Sequence, residues 1–96
     1  MNITFTEEGK IYTATLKISG PAAIHLEREK PGAFRFLQRS SDEGQFARIE
    51  KAGVTSQDLV TDTVITSDYY PMYVKIESSE PITLAIVTTE SDVEQV

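Results

Sequence analysis

Apolar and polar residues alternate along most of the chain. In KIYTATLKIS, Tyr12, Ala14, Leu16 and Ile18 alternate with Thr13, Thr15 and Lys17. In AAIHLER, Ala22, Ile24 and Leu26 oppose His25 and Glu27, and in AFRFLQR, Phe34 and Phe36 oppose Arg35, Leu37 and Arg39. Ile3 and Phe5 repeat the pattern near the start, as do Tyr70, Met72, Val74 and Ile76 against Tyr73, Lys75 and Glu77. Successive side chains of a strand point to opposite faces, so a period of two predicts half-buried strands of antiparallel sheets. The shared phase assigns Tyr12, Leu16, Ile18, Ile24, Leu26, Phe34, Phe36, Val74, Ile76, Leu84 and Ile86 to the core. The run LAIVT is apolar in both phases, which marks a central strand or one whose second side meets another molecule.

The breaks between runs carry turn chemistry. Glu7-Glu8-Gly9-Lys10 suits a hairpin with glycine at positive φ, Gly20-Pro21 separates two runs, and Lys30-Pro31-Gly32 has the order of a type II turn. Ser40 to Gln45 and Ser78 to Pro81 are polar connections, and Ala22–Arg28 with Ala33–Arg39 would form a hairpin. Thr55-Ser56-Gln57-Asp58 resembles a capping box for one helical turn. About eight short strands at this spacing predict an all-β fold, a single antiparallel β-sandwich of jelly-roll-like or Ig-like kind. One domain covers residues 1–96, with an acidic, flexible tail at about 89–96.

Composition narrows the chemistry. Forty per cent hydrophobic and 25% charged residues suit a folded domain, and the absence of cysteine excludes disulfides, thiolate zinc sites and a cysteine nucleophile. The start MNITFTEEGK has neither a basic nor an apolar signal region, so synthesis in a cytoplasm is expected, and no run suggests a membrane helix. The net charge of −6 is uneven: residues 1–48 hold seven bases against six acids, whereas residues 49–96 hold two against nine. This balance argues against nonspecific nucleic-acid binding, which needs several cations on one face.

No catalytic set emerges. His25 is the only histidine, with no metal-ligand spacing, and reads as a surface strand residue. Glu27 and Glu29 are two apart beside a Pro-Gly turn, where a solvated tip is the simpler reading than a glycosidase pair. Asp42-Glu43 lacks the ladder of a calcium loop, and the glycines are too scattered for a phosphate loop. No metal or cofactor is therefore expected, and no enzyme.

Two groups of residues point to partners. Arg35 and Arg39 share the outer face of one strand and could meet an acidic or subunit surface. In Asp68-Tyr69-Tyr70-Pro71-Met72-Tyr73, phase puts Tyr70 and Met72 inside and Tyr73 outside. Tyr69 lies at the strand entry, and Pro71 marks an edge or a strand start. Tyrosine suits interfaces because it buries area and keeps a polar tip. Tyr69, Pro71, Tyr73, Arg35 and Arg39 form the candidate partner interface.

The segment YPMYVKIESSEPITLAIVT, Tyr70 to Thr88, with the alternating runs before it, resembles the small β-sandwich accessory proteins encoded among the virion genes of tailed bacteriophages. These are the head auxiliary (decoration) and head-fibre or adaptor proteins. The resemblance implies a non-enzymatic structural role, homo-oligomeric assembly, and docking on the major capsid or another virion protein. It places the protein in a virion assembled in the host cytoplasm, without nucleic acid or membrane as partner. The rival reading is a carbohydrate- or ligand-binding sandwich module, although the usual tryptophan platform is absent.

Overall fold

The computed structural model describes residues 1–40, 44–48, 57–89 and 92–96. The described residues contain strands and no helix: β1 (Thr6–Glu8), β2 (Ile11–Ile18), β3 (Ala22–Arg28), β4 (Phe34–Arg39), β5 (Ala47–Arg48), β6 (Val60–Ile65), β7 (Met72–Ser78), β8 (Ile82–Val87) and β9 (Val93–Gln95). All strand pairs are antiparallel. A six-stranded sheet runs β1-β2-β7-β4-β5, with β9 added along β2, and a three-stranded sheet runs β6-β3-β8. The two pack face to face as the all-β sandwich that the alternation predicts.

The inward phase of each sheet makes the core. Leu16 and Ile18 of β2, Val74 and Ile76 of β7, and Phe36 of β4 meet Ile24 and Leu26 of β3, all nearly fully buried. Phe34 and Phe36 contact edge to face, with ring centroids 5.4 Å apart. Met72 is buried and Tyr70 packs against the core, while the Tyr70 hydroxyl accepts a 2.9 Å hydrogen bond from the Ser67 backbone N–H.

Tyr12 is only half-buried, at the open end of β2. Leu84 and Ile86, expected in the core, point the other way: Ala85 and Val87 are buried, and Leu84 is 42% exposed. Because β8 is apolar in both phases, hydrophobicity could not choose between them. Its register with β3 does, setting Ala85 opposite inward Leu26 and Leu84 opposite outward Glu27.

The expected hairpin of Ala22–Arg28 with Ala33–Arg39 does not form, because β3 and β4 lie in different sheets. The connections after β2, β3 and β7 all arch from one sheet to the other. Gly9, at φ 64°, sits in the one tight hairpin of this part of the chain, between β1 and β2. Gly32 does not have the positive φ of a type II turn. It is constrained instead by close approach, since a Cβ there would collide with the side chains of Ser79 and Glu80 across the arch. The N-terminal segment also changes sheets. Ile3 N–H donates to Ala85 O and Val87 N–H to Met1 O along β8, before the chain crosses to become β1.

The tail departs from expectation as well. Val93–Gln95 is a strand on β2, with Leu16, Lys17 and Ile18 opposite Gln95, Glu94 and Val93, and Val93 packs on the core. The Gln95 side-chain amide pairs with the Thr4 backbone in both directions. The capping box expected at Thr55–Asp58 begins outside the described residues, and Asp42-Glu43 lies outside them too.

Candidate interaction surfaces

A sandwich has two outer faces and two ends, and the sequence distributes chemistry unevenly among them. On the six-stranded sheet, the outward positions of β4 are Arg35, Leu37 and Arg39. Opposite them on β7 stand Glu77, Lys75 and Tyr73, and next on β2 stand Thr13, Thr15 and Lys17. Arg35 and Arg39 therefore share an outer face, as the alternation predicts, but at its two ends. Arg35 Nε donates to Glu77 Oε1 at 2.6 Å, and Lys75 Nζ lies 3.8 Å from Glu77 Oε2. The Arg39 guanidinium lies over two rings, 4.3 Å from the Phe46 centroid and 5.4 Å from that of Tyr73. Such stacking holds a cation in place at about 0.5–2 kcal/mol per contact.

Tyr73 faces outward, half-buried under Arg39, and so belongs with the cations of this face. Pro71 immediately precedes β7 and marks a strand start. It does not mark an edge, because β7 is paired on both sides, with β2 and β4. A second chain therefore cannot add to the sheet there. Tyr69 is 77% exposed and stands at the end of the sandwich where β7 begins. It helps to line a cleft of about 370 Å³ with Gln38, Arg39, Ser40, Gln45 and Met72. The structure thus brings Tyr69, Arg39 and Tyr73 together and leaves Arg35 apart.

The three-stranded sheet carries a surface that the sequence reading missed. Its outward rows read Val64, Ala23; then Asp62, His25, Ile86; then Val60, Glu27, Leu84 across β6, β3 and β8. Val64 is 64% exposed and Val60 55%, whereas Thr61, on the inward phase of the same strand, is buried. Strand β6 thus turns Val60 and Val64 to water, while Thr61 and Ile65 face the core. Strand β8, apolar in both phases, keeps Ala85 and Val87 inside and leaves Leu84 outside. Outward aliphatic side chains on both edge strands of this sheet concentrate exposed apolar surface on one face, the mark of an interaction site.

His25 lies at the centre of this face. Its Nδ1 is 2.6 Å from Asp62 Oδ1 and its Nε2 is 2.7 Å from Glu27 Oε2. Both ring nitrogens can donate only in the imidazolium form. Hydrogen bonds to Glu27 and then Asp62, opposed by desolvation, raise its pKa above the ordinary value. The two carboxylates come from the neighbour two residues on and from the cross-strand partner. A histidine and an acid at i and i+2 on one strand face was the available signal. The carboxylates sit on opposite sides of the ring and do not converge on one point. Among the described residues no group of three acidic, histidine or cysteine side chains is placed to hold a metal ion. Glu29 lies beyond the end of β3 and takes no part, and neighbouring Arg28 turns inward, with Nε donating to Asp58 O at 3.0 Å and the guanidinium 5.0 Å from the Phe34 centroid.

A group whose pKa is raised in the folded state adds stability that is complete below its unfolded value of about 6.5 and disappears as pH rises through the folded value. Thermal melts of wild type and His25→Gln should therefore differ most a little below the unfolded value of about 6.5, and the gap should narrow as the pH rises above it. A constant gap across that range would show that the imidazolium pairing adds nothing.

The geometry defines a small antiparallel sandwich with one apolar outer face, one basic outer face and an aromatic end. No protein-family model matches the chain, and neither a curated protein nor a solved structure matches it.

Proposed function

We propose that this protein is a non-enzymatic structural module that docks on a protein shell, in the manner of the accessory virion proteins of tailed bacteriophages, after synthesis in the host cytoplasm. The observation that carries the docking reading is Tyr69. A ring left 77% exposed beside a cleft offers a ready anchor for a partner's side chain. The single histidine has both nitrogens engaged by carboxylates, so neither is left to take a proton from a nucleophile. The phage assignment itself rests on the sequence resemblance over Tyr70 to Thr88.

The test is co-sedimentation of purified protein with washed capsids of the phage whose virion genes neighbour its gene. Binding that falls about five- to thirtyfold in Tyr69→Ala, with an unchanged melting temperature, is the expected outcome. A gene without virion neighbours, or capsids that bind wild type and variant equally, would overturn the reading. Retention on a glycan array, lost in Tyr69→Ala, would transfer the cleft to carbohydrate binding.

A further inference from the structure

The two outer faces of the sandwich differ in charge and match in character. On the three central strands of the large sheet, Lys17, Lys75, Arg35 and Arg39 stand against one acid, Glu77, with Glu8 and Glu94 on the flanking strands β1 and β9. The half-buried apolar side chains Leu37, Tyr73 and Phe46 lie among these cations. The small sheet presents Glu27 and Asp62 about one imidazolium, with Val60, Val64, Leu84 and Ile86 around them. Each face thus combines apolar area with a charge that the other complements.

We infer that copies of this chain associate head to tail, the apolar face of one on the basic face of the next. The occupant of the apolar face is a second copy of the chain, and the warrant is charge complementarity. A two-fold contact of the apolar face with itself would set the same acidic cluster against its own image and bury like charges. The opposite arrangement sets Glu27 and Asp62 against lysines and arginines, and Val60, Val64 and Leu84 against Leu37, Tyr73 and Phe46. The net charge of −6 opposes self-association at long range, but salt at physiological strength screens it beyond about 8 Å, so local contact decides. Contacts between two different surfaces close into a ring or propagate as an open stack, according to the rotation between copies. This inference goes beyond shell docking: Arg39 borders both the cleft and the basic face, but the exposed Tyr69 ring is not used by it, so Tyr69→Ala reads docking while Val64→Arg reads self-association.

The experiment blocks one face at a time. Val64→Arg puts a cation in the apolar face, and Lys75→Glu reverses a charge on the basic one. Lys17→Glu serves as a second, independent block of that face, and far-UV circular dichroism confirms that each variant is folded. By sedimentation equilibrium, wild type should exceed dimer mass as concentration rises, and added salt should weaken the association. Each variant alone should lose at least tenfold in self-affinity, which is about 1.4 kcal/mol. An equimolar mixture of Val64→Arg with Lys75→Glu should then form a one-to-one dimer and nothing larger, because each partner supplies the face that the other lacks. Three results would overturn the inference. A monomeric wild type whose capsid binding is lost in Val64→Arg would assign the face to the shell. Continued self-association of Lys75→Glu and Lys17→Glu would show a two-fold contact of the apolar face. Failure of the mixture to dimerise would show that the two faces do not meet.

Discussion

The Phe36→Ala variant loses about 3–5 kcal/mol of stability, the usual cost of emptying a fully buried aromatic site. Phe36 is 1% exposed, opposes Ile76 on the central strand β7, and contacts Phe34 edge to face. Truncation removes its packing on both and leaves a cavity that rigid paired strands cannot close. A domain of this size has roughly 5–15 kcal/mol in total, and each kcal/mol moves the melting temperature by about 4–8 °C. The variant should therefore melt tens of degrees lower, and urea unfolding should show a lower midpoint at an unchanged slope. A loss below about 1 kcal/mol would place Phe36 outside the core and invert the phase of β4.

Ending the chain at residue 91 removes β9 and costs about 2–4 kcal/mol, through lost hydrogen bonds and the packing of Val93. Ser19 N–H loses its acceptor Asp92 O, Val96 N–H no longer reaches Thr15 O, and the Gln95 amide releases the backbone of Thr4. That last loss matters because Thr4 lies in the segment that crosses between the sheets. The shortened protein also bares the edge of β2 at Leu16–Ile18, so it should aggregate more readily. Urea unfolding gives the stability, and light scattering reports the aggregation. A change within about 0.5 kcal/mol would restore the picture of a flexible tail.

Where one phase of a strand was clearly apolar, the alternation alone located both strand and buried face. Leu16 and Ile18, Ile24 and Leu26, Phe34 and Phe36, and Val74 and Ile76 lie as it required. The outward placement of Arg35, Arg39, Tyr69 and Tyr73 was readable for the same reason. The tail was not, because Val93 is a single apolar residue among acids, and its partner strand lies far away in sequence.

Strand partners and the phase of the doubly apolar strand belonged to the tertiary structure. A turn of glycine, proline and serine serves equally to fold a strand back on its neighbour or to carry it across to the facing sheet. Only the packing of the two apolar faces selects the arch, and with it the separation of β3 from β4. Register then fixed Leu84 outside and Ala85 inside, and brought Asp62 beside His25 from 37 residues away. The sequence of itself determined an antiparallel sandwich and most of its buried positions, because alternation is a local property of the chain. The apolar face and its histidine-carboxylate cluster arose only in three dimensions, because they are set by which strands lie side by side.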